Sequence, residues 1–140
     1  MVNAPETVIF ACVHNAGRSQ MAAAFFGALA DPRAARAVSA GTQPVTAVHP
    51  IVVEAMREIG IDLSQAKPRR LTEALAADAT MLVTMGCGEQ CPIVPGLERL
   101  DWQLSDPKDQ PIAMVRVVRD EIRRRVSDLL RARGWLRASA

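Results

Sequence analysis

Thr7-Val8-Ile9-Phe10-Ala11-Cys12, running on into Val13-His14-Asn15-Ala16-Gly17-Arg18-Ser19, is the stretch that decides the fold. Its first half is a short apolar run with β-branched residues, the pattern of a strand buried on both faces. Turn formers interrupt it, and from Ser19 to Ala30 the composition changes to Ala, Met, Phe and Leu, which predicts a helix stopped by Asp31-Pro32. A strand, a tight loop and a helix in that order open a parallel α/β sheet.

Outward from this unit the alternation continues. Ala37-Val38-Ser39-Ala40-Gly41-Thr42 predicts a second strand. A helix follows from about Pro50, with proline in its first turn, Gly60 placed to end it and His49 as a helix-start residue. Thr72-Glu73-Ala74-Leu75 reads as a short capped helix, Thr80–Met85 as a third strand and Leu97–Trp102 as a fourth. The last helix is expected from near Pro111 to Arg133, with Gly134 past its end. Along it Ile112, Val115, Val118, Ile122, Val126 and Leu129 recur at helical spacing while the arginines fall mostly elsewhere, which predicts a solvated basic face. With no repeat, low-complexity tract or linker, residues 1–140 are expected to form one α/β domain, a parallel sheet wrapped by helices.

Composition narrows the functions. Apolar residues make up 49% and charged residues 23%, values of a folded globular chain. The net charge of +2 gives no reason to expect nucleic acid or an anionic membrane as partner. No apolar run approaches the roughly 18 residues of a membrane span. Met1 to Thr7 lacks the basic and apolar segments of an export signal, so a cytoplasmic protein is expected. Three cysteines in such a chain argue against a disulfide framework and draw attention to reactive thiols.

Cys12 to Arg18 is a Cys-x5-Arg, followed by Ser19, placed where open α/β sheets carry their ligands. Backbone N–H groups of Val13, His14, Asn15, Ala16 and Gly17, with those of the first helical turn, are expected to converge on an anion. Arg18 adds a planar fork suited to two oxygens of a tetrahedral oxyanion, and Gly17 fits a tight turn. The same positive field favours the Cys12 thiolate, and Ser19 is placed to donate to the sulfur. Nucleophile and anion pocket thus form one structure. For His14, a backbone contribution is expected ahead of a side-chain role in proton transfer.

These residues resemble the low-molecular-weight protein tyrosine phosphatase superfamily, and within it the arsenate reductases. The resemblance covers nearly the whole chain. Ser39-Ala40-Gly41-Thr42 is similar to the family's second-strand motif, Gly60-Ile61-Asp62-Leu63-Ser64 with Pro68 to the segment that follows, and Asp106-Pro107 to its general-acid loop. It implies a four-stranded parallel sheet with helices on both faces, and a proton-donating role for Asp106. A tyrosine phosphatase of this family would carry aromatic residues beside the Asp-Pro. This chain has Lys108 and Asp109 there and no tyrosine at all, although a weak side activity on aryl phosphates is still expected.

The reductase branch needs further thiols, because reducing As(V) to As(III) takes two electrons. Met85-Gly86-Cys87-Gly88-Glu89-Gln90-Cys91-Pro92 supplies two, four residues apart among glycines. A redox pair, a metal site and inert thiols are the three readings of this segment. Zinc lacks a second Cys/His pair to complete four ligands, and no metal or tightly bound cofactor is expected. The resemblance implies a relay: an arsenate adduct on Cys12, a Cys12–Cys87 disulfide, then a Cys87–Cys91 disulfide reduced by an external thiol. That reductant is expected to be a thioredoxin-like protein, or else a low-molecular-weight thiol with a redoxin. Phosphate and sulfate are the competing oxyanions. The family's potassium site is not carried over, although Asn15 matches the loop position associated with it. An oxyanion- or thiol-sensing module without turnover is the non-enzymatic alternative.

Overall fold

The computed structural model describes residues 5–86 and 95–138. Four strands, β1 (Glu6–Cys12), β2 (Ala35–Gly41), β3 (Met81–Thr84) and β4 (Glu98–Asp101), form one sheet in the order β2-β1-β3-β4, parallel throughout. The helices are α1 (Arg18–Leu29), α2 (Pro50–Arg57), α3 (Glu73–Ala77) and α4 (Ile112–Arg133). β1 is central. The chain leaves it to one side for β2 and returns on its other side as β3, so the end of β1 is the point where strand order reverses.

Side-chain alternation along β1 divides the core. Val8, Phe10 and Cys12 face a cluster built with α1, α2 and α4, while Ile9 and Ala11 face a smaller one closed by Ala76 and Leu75 of α3. Helices therefore cover both faces, unequally. Four of the five aromatic residues connect the larger cluster: Phe10 lies 5.7 Å from Trp102 and 5.8 Å from Phe26, which lies 6.2 Å from Trp135. The scarce rings are spent on packing.

The helix ends follow their local chemistry. Thr72 accepts from the Leu75 N–H at the start of α3, Pro50 opens α2, and Gly134 ends α4 in the left-handed conformation at φ 72°. One arginine of α4 departs from its solvated face. The arginines do not all lie on a solvated face, because Arg119 is 8% exposed, donating to the Ala55 carbonyl at 2.9 Å and to Glu58 at 2.9 Å, with Asp120 at 2.8 Å. Its long side chain crosses from α4 to α2, where a buried guanidinium finds a carbonyl and a carboxylate.

Arg116, with Arg119 behind it, holds the Glu58 carboxyl down at about 2. A carboxylate lowered in the folded state stabilises the fold above its unfolded value and loses that contribution as pH falls towards its folded value. Glu58→Gln is therefore expected to lower Tm at pH 6–7. The gap to the parent protein should narrow as pH falls from about 4.5 towards about 2 in thermal melts.

Candidate active site

Cys12 is the last residue of β1 and is 3% exposed. Beyond it, five consecutive carbonyls are taken up by the surrounding chain. Cys12 O accepts from Thr42 N at 3.2 Å, Val13 O from Gln43 N at 2.8 Å, His14 O from Val45 N at 3.2 Å and Ala16 O from His49 N at 3.0 Å. Asn15 O accepts from Gln20 Nε2 at 3.1 Å. In a trans peptide the N–H points opposite to the carbonyl. Carbonyls turned outward thus turn the N–H groups of residues 13–17 into the loop, which is the concavity an anion requires.

The sulfur has a directed hydrogen bond. Asn15 Nδ2 donates to Ser19 Oγ at 2.7 Å, and Ser19 Oγ lies 2.9 Å from Cys12 Sγ. With its oxygen accepting from the amide, the Ser19 hydroxyl directs its own proton to the sulfur. Ser19 and Asn15 are both fully buried.

Arg18 is the first residue of α1, and its guanidinium reaches across the loop to the segment before α4. Nη1 donates to the Leu104 carbonyl at 3.3 Å, and Nη2 lies 3.4 Å from Asp106 Oδ2. The Asp106 side chain is 49% exposed, and its other oxygen accepts from the Lys108 N–H at 3.0 Å. Cys12, Ser19, Arg18 and Asp106 are therefore brought together. Cys87 and Cys91 lie outside the described residues.

Gly17 differs from expectation in its reason. Its φ is −143°, so it is not the left-handed turn of the loop, which falls instead on Asn15 at φ 54°. A Cβ at Gly17 would stand 3.0 Å from Pro107, so the absent side chain lets the Asp106-Pro107 segment settle onto the loop. His14 is half-buried and takes part through its carbonyl.

Three contributors escaped the sequence reading. Gly41, at the end of β2, lets the loop approach, because a Cβ there would meet Val13 O at 2.7 Å. Arg69 N donates to Asn15 Oδ1 at 2.8 Å, fastening the segment before α3 to the loop. His49 does more than precede α2: burial is the main cause holding its imidazole below its usual value, and Asp106, Lys108, His14 and Asp109 all act on its charge. It stands at the rim. The glycine of Ser39-Ala40-Gly41-Thr42 was the one available signal, since a glycine at a strand end suggests close backbone approach.

The potassium site associated with the family finds no fit. Asn15 Oδ1 accepts from Arg69 N and from Gln20 Nε2 at 3.2 Å, so protein N–H groups occupy the side-chain oxygen that Asn15 would offer a cation. The adjoining cavity of about 340 Å³ is lined by Gln20, Ser39, Lys67 and Arg69 among others, with two cations and no carboxylate among its described residues. No group of three or more His, Cys, Asp or Glu that could hold a metal occurs among the described residues.

The end of the central strand thus places a thiol at the base of an inward-facing N–H loop, with an arginine and an Asp-Pro turn beside it. The profile of the low molecular weight phosphotyrosine protein phosphatase family matches residues 7–134, and the chain belongs to that family. It is 39% identical over 124 residues to a Halobacterium salinarum protein named for arsenate reduction, covering 86% of this chain and 87% of that one. To the glutaredoxin arsenate reductase of Synechocystis it is 33% identical over 135 residues, 89% of this chain and 96% of that protein. The structure of a Corynebacterium glutamicum thioredoxin-dependent arsenate reductase superposes with a TM-score of 0.78 at 36% identity, over 94% of this chain. The chain spans 63% of that structure's length. Among the described residues no helix is long and apolar enough to cross a membrane.

Proposed function

We propose that the chain is an arsenate reductase working through thiols. The observation that carries this reading is the Cys12 sulfur held by Ser19 at 2.9 Å within the inward-facing loop, in a chain that resembles arsenate reductases along most of its length. The family description is a phosphatase's, so the fold alone does not choose the reaction. The two further cysteines, Cys87 and Cys91, favour the reductase reading, because reducing As(V) calls for thiols beyond Cys12 and hydrolysis of a phosphate ester does not.

Arsenate enters the loop, its oxygens on the N–H groups of residues 13–17 and on Arg18. The Cys12 thiolate forms a bond to arsenic, and one oxygen leaves as water with a proton from Asp106. The Cys87 thiolate then attacks Cys12 Sγ. The sulfur–arsenic bond breaks with its electron pair passing to arsenic, so As(V) becomes As(III) and leaves as arsenite while a Cys12–Cys87 disulfide forms. Cys91 attacks Cys87, Cys12 departs as thiolate, and the Cys87–Cys91 disulfide receives two electrons from an external dithiol. A thioredoxin-like protein is the first choice for that partner. A low-molecular-weight thiol with a redoxin is the second, which the glutaredoxin-named relative favours.

Arsenate-dependent NADPH oxidation tests the reading, with a thioredoxin system in one arm and glutathione plus glutaredoxin in the other. Turnover in either arm supports reduction and names the partner. Hydrolysis of aryl phosphate with no arsenate-dependent oxidation in either arm makes the chain a phosphatase.

Asp106 is assigned the acid role because its carboxylate stands 3.4 Å from Arg18 at the pocket's edge. Asp106→Asn is expected to slow adduct formation about 10²–10⁴-fold. Cys12 alkylation by iodoacetamide should stay near the parent rate. Rapid-quench rates within twofold of the parent would remove Asp106 from the chemistry.

A further inference from the structure

We infer that Gly86 is a positioning residue for Arg18, resting on the reading of Arg18 as the oxyanion clamp. Gly86 lies just past β3, where Met85 N donates to Ala11 O at 2.8 Å and so sets this backbone beside the end of β1. Its φ is +86°. A Cβ built there would fall 2.3 Å from Arg18 Nη1, 3.0 Å from Cζ and 3.2 Å from Nη2, closer to Nη1 than van der Waals contact allows. Bare backbone is thus one wall against which the fork rests. The Leu104 carbonyl and Asp106 hold it from the acid-loop side.

The consequence is specific. Arg18 is 9% exposed and already bonded on two nitrogens, so it has little room to yield. Any side chain at position 86 displaces the guanidinium from the plane in which it meets the loop. A bidentate clamp depends on that plane, because both N–H···O bonds are lost when the fork tilts. Gly86 also adjoins Cys87, and its glycine invites a reading as a hinge for the thiol segment. The contact with Arg18 gives it a different duty, in binding rather than in relay.

Two substitutions separate the contact from backbone conformation. Asparagine tolerates a left-handed φ far better than alanine does, but both carry the Cβ. If the clash governs, Gly86→Ala and Gly86→Asn should both weaken binding of inorganic phosphate about tenfold or more by titration calorimetry. In an Arg18→Ala background, Gly86→Ala should leave phosphate affinity nearly unchanged relative to Arg18→Ala alone, since the clashing group has gone, while the backbone cost of alanine at φ +86° remains in both backgrounds. Should Gly86→Ala fold poorly, the double variant is expected to melt higher than the single one. Parent-like affinity in Gly86→Ala would overturn the inference, as would recovery of affinity in Gly86→Asn or an undiminished effect of Gly86→Ala without Arg18. Unaltered phosphate binding in Arg18→Ala alone would instead strike at the clamp itself, and so at the proposed function.

Discussion

Cys12→Ser is expected to abolish arsenate reduction and aryl phosphate hydrolysis together, leaving no turnover above the uncatalysed rate. Both reactions begin with the same sulfur, and a serine hydroxyl stays protonated where a thiol ionises. Ser19 donates to the atom at this position, an interaction the hydroxyl can retain, so the loop should keep its shape. Phosphate or sulfate should therefore still bind to the variant, which separates a lost nucleophile from a lost pocket. Calorimetry with phosphate and a coupled arsenite assay on one preparation check both halves. Sustained turnover with either substrate would remove Cys12 from the chemistry.

Cys87→Ser and Cys91→Ser should fail at different points. Without Cys87 the Cys12–arsenic adduct has no internal attacker, so not even one arsenite is expected. Without Cys91 about one arsenite per chain should appear, followed by arrest as the Cys12–Cys87 disulfide, because exchange needs the next thiolate. Aryl phosphate hydrolysis should be little altered in either, since water completes that cycle. Arsenite counted after rapid quench, with disulfides mapped by mass, distinguishes the two. Multiple turnover retained by both variants with thioredoxin would eliminate the relay. Retention only with a small thiol and a redoxin would move the second thiol outside the chain.

Short-range chemistry was legible in the sequence. Thr7–Cys12 is apolar because both sheet faces are covered, and Thr72, Pro50 and Gly134 mark helix ends through the backbone groups they satisfy or the angles they allow. Cys12, Arg18 and Ser19 share one segment, so their convergence could be read from spacing alone. Asp106 could not be placed that way. It arrives from 88 residues away, and only the family resemblance pointed to it.

The residues that shape the loop were less visible, because their partners are distant in the chain. Gly41, Gly86 and Gly17 each look like a turn former, yet each is small because another segment comes close: Val13 O, the Arg18 guanidinium and Pro107 respectively. Arg69 acts through its main-chain N–H, so its side-chain type says nothing of that role. Arg119 resembles every other arginine of α4 until the packing of α2 surrounds it. Periodicity records which face of a helix is buried, and cannot record a charged exception whose partners lie about 60 residues earlier.

The proposed relay is tested most directly by mixing the fully reduced native chain with arsenate, no external reductant present, then counting arsenite and mapping cysteines by mass spectrometry. About one arsenite per chain, with Cys87 and Cys91 joined and Cys12 free, is the predicted result, since each internal exchange passes the oxidation one thiol further from the pocket. Three free thiols with no arsenite formed, in a protein that hydrolyses aryl phosphate under the same conditions, would contradict it.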